Sequence, residues 1–441
     1  MGRTSLAFQE MRTQTTDVGF YGEMAFCQNS RHYSCVSGGF TLAKDSSNRR
    51  RVLAGAAALF AAGSSRAQMV ALPFGNGERP LKTYPEKRPM LVLTERPPQL
   101  ETPFEVFDHG AFTSNDAFFV RYHLAGTPPR GLDAATHRVK VLGAVNTPLD
   151  LSLEDLRRDF PVVELAAVNE CSGNGRGFSS PRVAGGQLGE GMMGNALWRG
   201  VSVRALLQRA GVMASAHAVE FNGADRPQIA TVADFVKGLG IDHARNGEVM
   251  LAYEMNGAPL PLLNGYPLRL IVPGYYGTYW VKHLTDLTVL EQESQSYWMQ
   301  KAYRIPDNDC ACVPAASAAG ATRPIGKLNV RSFITNFTDG QTAQASPKVL
   351  VRGIAFDGGA GIEAVELSSD GGRTWKPTAL GKDHGQFSFR EWSAHLPLDP
   401  GEHLLVARAR NKAGDLQPQA ANWNPSAYMR NASDVVRVVA A

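Results

Sequence analysis

The chain has 441 residues, 44% hydrophobic and 20% charged, a globular composition that excludes disordered, collagenous and coiled-coil classes. Lys and Arg outnumber Asp and Glu by 45 to 41, but residues 1–67 hold eight of the former and four of the latter, leaving 37 against 37 from Gln68 onward. A body without net charge excludes general nucleic-acid binding, which needs a basic footprint to neutralise phosphates, and at about 150 residues per domain the length suggests two or three domains.

The first predicted element is an address. Arg49, Arg50 and Arg51 stand directly before an apolar run at 52–63, and Ser65-Arg66-Ala67 offers small residues at a cleavable spacing. That order is a signal peptide's basic region, hydrophobic region and cleavage site; the competing reading is a core helix with a basic flank. The run is too short to cross a bilayer, which takes about 20 residues. The arginine pair favours twin-arginine export to the periplasm, and residues 1–45 read as an over-extended start. No membrane span is expected in the mature protein. Of five cysteines, Cys27 and Cys35 would leave with the leader, and the remaining Cys171, Cys310 and Cys312 leave at least one thiol unpaired. Whether Cys310 and Cys312 join across their small ring stays open.

Residues 68–110, rich in Pro, Glu and Arg, predict an extended surface arm as the start of a domain over 68–320. The stretch 115–124 (NDAFFVRYHL) predicts a loop entering a strand. Strands follow at 137–145 and 162–168, with a short helix at 151–159 between them. Residues 201–210 (VSVRALLQRA) have helical spacing and end at Gly211, a C-cap. Short strands at 218–222, 248–253, 268–272 and 287–290 complete a mixture without regular βαβ alternation, an α+β pattern. The small residues of 314–320 mark a boundary. Over 321–441 the chain reads as strand and turn, at 348–356, 364–368, 386–392 and 403–411 with a hairpin signal at Asp370-Gly371-Gly372. About seven short strands in such a length predict an immunoglobulin-like β-sandwich, best explained as a docking or dimerisation module.

Three segments resist explanation as packing. Phe118-Phe119-Val120-Arg121-Tyr122-His123 puts Arg121 and His123 on one side of an extended strand. Glu170-Cys171-Ser172-Gly173-Asn174-Gly175-Arg176-Gly177 places a cysteine at a strand end before a glycine-spaced loop with an arginine. Pro273 to Lys282 (PGYYGTYWVK), with the stretch from Trp298 to Tyr303-Arg304, is dense in aromatics. A cysteine among arginines is a candidate metal ligand or nucleophile; on the residues alone, an inert core cysteine is an equal reading. No phosphate-binding glycine loop, zinc-type Cys/His spacing or Gly-x-Ser-x-Gly elbow occurs.

These segments, with LAYEMNG (251–257), NGYPLRLIVPGYYGTYWVKHL (264–284), AYRIPDND (302–309) and NPSAYMRN (424–431), resemble the sulfite oxidase family of molybdenum enzymes from about Phe104 to the C-terminus, and most closely its bacterial periplasmic, cytochrome-linked sulfite dehydrogenases. The resemblance implies a molybdopterin domain followed by an immunoglobulin-like dimerisation domain. It implies that Cys171 is the thiolate ligand of molybdenum, a soft donor suited to a metal already bound by dithiolene sulfurs. Arg121 and Arg176 match the active-site arginines, whose fixed forks suit an oxyanion, and His123 and Tyr303 the other polar positions near substrate. Phe119, Val120, Arg121, Tyr122, His123, Asp225, Asn264, Arg269, Trp280, Val281 and Lys282 match positions that hold the pterin and its phosphate. Asn264 departs from the histidine of animal members, and as an amide it is expected to donate a hydrogen bond in its place.

The implied reaction is oxidation of sulfite, or a related sulfur oxyanion, to sulfate. No Cys-x-x-Cys-His haem site occurs, so a c-type cytochrome is the implied electron acceptor, met by a homodimer or a heteromer with a cytochrome subunit. The alternative within the family is the catalytic subunit of sulfane dehydrogenase in the thiosulfate-oxidising system; a further relative reduces methionine sulfoxide. Outside the family, an acyl transferase using Cys171 and His123 would be blocked by thiol reagents and hold no metal. A binding module with a degenerate catalytic domain conflicts with the intact set Arg121, Cys171, Arg176 and Tyr303.

Overall fold

The computed structural model describes residues 68–441 apart from residue 72. The expected leader lies outside the described residues. Among them, no helix is long and apolar enough to cross a membrane.

Two sheets and two helices enclose the main core. Met193–Ser202 lies between Val162–Glu170 and Met250–Met255 in an antiparallel sheet, with Arg269–Ile271 also paired to Met250–Met255. A second five-stranded sheet runs Val236–Gly240, Ala218–Gly223, Leu284–Leu290, Arg138–Gly143, Leu149–Ser152. The helix expected at 151–159 runs Leu153–Asp159, because Leu151 and Ser152 still belong to the strand and Ser152 caps the helix. Ser152 Oγ accepts from the Asp155 amide at 3.1 Å while the Asp155 carboxylate accepts from the Ser152 amide at 2.9 Å, satisfying two otherwise orphaned donors. The helix Val203–Ala210 buries Val203, Leu206, Leu207 and Ala210 on one face and ends at Gly211, whose φ of 68° suits a residue without Cβ. The structure is α+β.

Several expectations need correction, and one strand went unpredicted. Residues 68–110 are no surface arm. Met69–Ala71, Glu78–Lys82, Met90–Glu95 and Pro98–Glu101 form an antiparallel sheet with Val120–Arg121, and Met90, Val92 and Leu100 pack a small core against Val120, Tyr122 and Leu263. The Pro and Glu content masked the alternation that buries Met90 and Val92 on one side. The predicted helix at 201–210 begins two residues later, because Val201 and Ser202 still belong to the strand and Ser202 caps the helix. Met193–Ser202, central to its sheet, went unpredicted: it is buried on both faces, so it lacks alternation, and Gly194 and Gly200 weaken its strand signal.

Beyond the linker, Arg331–Ile334, Ser346–Phe356, Arg390–Leu398 and Ala379–Leu380 form one sheet of an immunoglobulin-like sandwich. Gln341–Ala343, Val435–Ala440, Gly401–Asn411, Ile362–Ser368 and Lys376–Pro377 form the other. The Asp370 turn links Ile362–Ser368 to Lys376–Pro377 as expected, whereas the strand expected at 386–392 runs Arg390–Leu398. The sandwich has its own apolar core around Val351, Leu367, Leu396, Leu405 and Val438. Phe333, Ile354, Phe356, Phe387 and Phe389 instead join the main core, so apolar packing is continuous across the linker.

Candidate active site

A cavity of about 570 Å³, counting its open mouth, collects the segments that sequence had singled out. Cys171 enters from the end of Val162–Glu170. The loop after it is fixed by Asn174, whose Nδ2 donates to Glu170 Oε1 at 3.0 Å and whose Oδ1 accepts from the Met192 amide at 3.0 Å. Gly175, at φ 80°, completes the turn. Cys171 is 8% exposed and is the one free thiol among the described residues, since Cys310 and Cys312 form a disulfide.

Arg121, Tyr122 and His123 all line the cavity, because the strand Val120–Arg121 ends before the alternation can turn Tyr122 away. His123 Nε2 meets the Tyr303 hydroxyl at 2.5 Å, and its ring stacks on Phe235 at 3.9 Å. Burial, with Arg121, Lys282 and Lys237 nearby, pushes the His123 pKa well below its usual value, so the imidazole is neutral. Tyr303 stays protonated because burial raises its pKa, and its backbone is held at φ 56°, a conformation that side chains rarely adopt.

The opposite wall is cationic. Lys282 donates to the Arg121 carbonyl and sits 4.3 Å over the Tyr122 ring; burial and then Arg269 bring its pKa down to about 7. Arg269 lies against Trp198 and Trp280, donates to the Asn264 carbonyl at 2.9 Å, and is lowered by burial to about 9. Asp225, raised by burial to about 6, is the acidic member. Phe119 and Trp280 supply apolar wall.

Four of the expected residues do not line the cavity. Val120 and Val281 point into the core. Asn264 stands behind the wall with its amide committed to the protein, Oδ1 accepting from Lys87 Nζ at 2.6 Å and Nδ2 donating to the Phe119 carbonyl at 3.0 Å. Arg176 reaches the site through Tyr428. Its guanidinium lies 5.0 Å over that ring, its Nε donates to the Ser426 carbonyl at 2.9 Å, and Tyr428 stacks on Tyr303 at 5.3 Å. Tyr428 comes from the sandwich region, and Arg331 from the same region pairs with Glu170 at 2.5 Å, one residue from Cys171.

Sequence reasoning missed Asn169, Ser172, Phe235 and Thr278, all in the wall. They explain what the cavity is for. Asn169 Oδ1 and Nδ2, Ser172 Oγ, Thr278 Oγ1 and Arg269 Nε are buried without a hydrogen-bond partner. Five such atoms around one cavity would be costly unless a bound group satisfied them. A side chain at Gly277 would bring its Cβ within 2.2 Å of Asn169 Oδ1, so glycine keeps this wall open. Donors, acceptors and cations around one thiol suit an anionic, heteroatom-rich cofactor that brings its own metal ligands.

The chain matches two domain families, the oxidoreductase molybdopterin binding domain over residues 125–298 and the Mo-co oxidoreductase dimerisation domain over 322–440. It is 34% identical to human mitochondrial sulfite oxidase over 381 residues, covering 81% of this chain and 67% of that protein. It is 32% identical to a rice nitrate reductase, covering 80% of this chain and 41% of the reductase. The sulfane dehydrogenase SoxCD of Paracoccus pantotrophus has the same fold, at a TM-score of 0.67 and 24% identity over 87% of this chain and 92% of that one. The cofactor is molybdenum with molybdopterin, and the chain belongs to the sulfite oxidase family of molybdopterin oxidoreductases.

Proposed function

We propose that this protein oxidises sulfite to sulfate and passes the two electrons, one at a time, to a c-type cytochrome. The observation that carries the reading is the convergence of Arg121 and the Tyr303–His123 pair beside Cys171 in a cavity with a cationic wall. Sulfite and water give sulfate, two protons and two electrons, and each electron reduces one oxidised cytochrome.

Cys171 would hold molybdenum. Arg269, Lys282 and the unpaired Asn169 and Thr278 groups would hold the pterin and its phosphate, with Phe119, Tyr122 and Trp280 packed against it. Bound there, the cofactor supplies oxygen-atom transfer and the two-electron change. The chain's own residues bind and orient. Arg121 offers a fixed positive fork to the substrate oxygens, and in a water-poor cavity that attraction exceeds its value in water. The Tyr303 hydroxyl, neutral and anchored on neutral His123, keeps its direction without placing a second negative charge against the anion. Arg176 sets Tyr428, which backs Tyr303 by stacking on it. Phe235 and Trp298 pack around His123 and exclude water.

We further propose export to the periplasm on the twin-arginine signal, a division into domains near residue 320, and assembly through the sandwich with a second copy or a cytochrome subunit. The test mixes molybdenum-loaded protein with oxidised cytochrome c and follows haem reduction on adding sulfite. Rapid reduction supports the reading. Absence of reduction with both cytochrome c and ferricyanide, despite bound molybdenum, overturns it in favour of a sulfane-sulfur substrate.

A further inference from the structure

The loop 226–234 joins two residues of the cavity wall, Asp225 and Phe235. Its middle, Pro227-Gln228-Ile229-Ala230-Thr231-Val232-Ala233, carries no charge. Ile229 and Val232 are 61% and 40% exposed and are joined by a turn in which the Val232 amide donates to the Ile229 carbonyl at 3.1 Å. The helix Tyr297–Gln300 abuts this loop through Trp298, whose Nε1 donates to the Ala233 carbonyl at 3.4 Å, and it presents Tyr297 at 51% exposure. Single exposed apolar side chains are ordinary. Three on adjoining elements, two of them in a stretch free of charge, have the composition of an interface core.

Beneath this patch the rings are continuous. Tyr297 contacts Trp298 at 5.3 Å between ring centres, Trp298 contacts Phe235 at 5.0 Å, and Phe235 stacks on His123 at 3.9 Å. Trp298 also meets His123 directly at 5.2 Å. The patch is therefore the surface from which packed aromatic rings lead without a gap to the cavity wall. Electron transfer weakens steeply with distance and with gaps in packing, so a redox partner seated here has a short, filled path to the cavity. A small-molecule acceptor needs no such seat, and a partner that merely stabilised the fold would gain nothing from the ring path.

We propose that Ile229, Val232 and Tyr297 form the docking face for a one-electron carrier protein with an apolar edge around its redox group. This rests on the electron-releasing reaction proposed above and adds where the electrons leave. Two oxidised carriers dock in succession, each taking one electron; no covalent bond forms.

The test uses the molybdenum-loaded protein and its variant Ile229→Asp with Val232→Asp and Tyr297→Ser, substitutions on exposed positions. Binding of oxidised cytochrome c is measured by calorimetry without sulfite, and turnover is measured with sulfite and either cytochrome c or ferricyanide. The expected result is cytochrome binding weakened at least about tenfold, kcat/KM for cytochrome c lowered in step, and ferricyanide turnover unchanged. Cytochrome binding equal to that of the unsubstituted protein overturns the proposal, as does failure of the unsubstituted protein to bind cytochrome at all. An equal loss with both acceptors also overturns it, since the loop would then be shaping the cavity. The binding arm needs no sulfite, so it decides the docking face even where the substrate assignment fails, and that failure shows separately as absent ferricyanide turnover.

Discussion

The cavity wall and the sandwich core are built on opposite terms. The core around Val351, Leu367, Leu396 and Leu405 is apolar and packs on itself, with a single buried polar atom among its described residues, Trp392 Nε1, left without a partner. The cavity wall holds Asn169, Ser172, Thr278 and Arg269 with buried polar atoms unpaired, and it keeps Lys282 and Arg269 below their ordinary pKa by burial. One such atom is tolerated in an apolar core; five around one cavity call for a bound cofactor. Between them runs a charged joint in which Arg331 pairs with Glu170 at 2.5 Å and Glu190 at 2.9 Å, and Arg430 pairs with Glu190 at 3.1 Å and Asp434 at 2.6 Å. Through that joint the sandwich touches the Cys171 loop.

If this contrast is right, substitutions on the two sides separate function from stability. The largest effect belongs to Cys171→Ser: molybdenum-dependent turnover falls to background and metal content drops, while the thermal transition of the cofactor-free protein is unchanged. Retained turnover would contradict the ligand assignment. Arg331→Ala comes next, because it leaves Glu170 uncompensated in the interior and Glu190 with Arg430 alone; stability falls by about 3–5 kcal/mol and turnover falls with it. Leu405→Ala, in the sandwich core, costs a comparable 2–5 kcal/mol, yet below its melting temperature it leaves the KM for sulfite unchanged. A shift in KM there would blur the distinction between the regions. Arg121→Gln is smaller and confined to the site, raising KM for sulfite by about 10- to 100-fold, the worth of a charge-assisted hydrogen bond, with metal content intact.

The last effect is a pH dependence of stability, with no change at the site itself. Lys87 is buried with its ammonium donating to the Asn115 and Phe118 carbonyls and to Asn264, and burial lowers its pKa to about 7 from an ordinary 10.5. Between those values the unfolded chain binds more protons at this site than the folded one, so its contribution to stability rises with pH. The stability of the parent protein relative to Lys87→Met, from urea unfolding, should therefore increase from pH 7 toward pH 10.

Much of this was legible in sequence, for local reasons. The Gly211 stop and the Asp370 turn are short-range chemistry, and the Cys171 loop and Arg121 segment carry residue types that packing alone does not call for. Asn169 and Phe235 were invisible because a solitary polar or aromatic residue has no spacing pattern; its role appears only when distant strands bring it to the same cavity, and Thr278, within a segment already singled out, stood there without a role. The same holds for Tyr428, which lies in a resemblance-bearing stretch but meets Tyr303 only because the sandwich packs back on the main core. Asn264 shows the reverse: its chemistry suited a ligand contact, and Lys87, far away in sequence, claimed it.

The most direct measurement adds excess sulfite to molybdenum-loaded protein under anaerobic conditions without any electron acceptor and quantifies sulfate. The account predicts close to one sulfate per bound molybdenum, and none from Cys171→Ser. No sulfate from the loaded protein, or equal sulfate from both proteins, would contradict it.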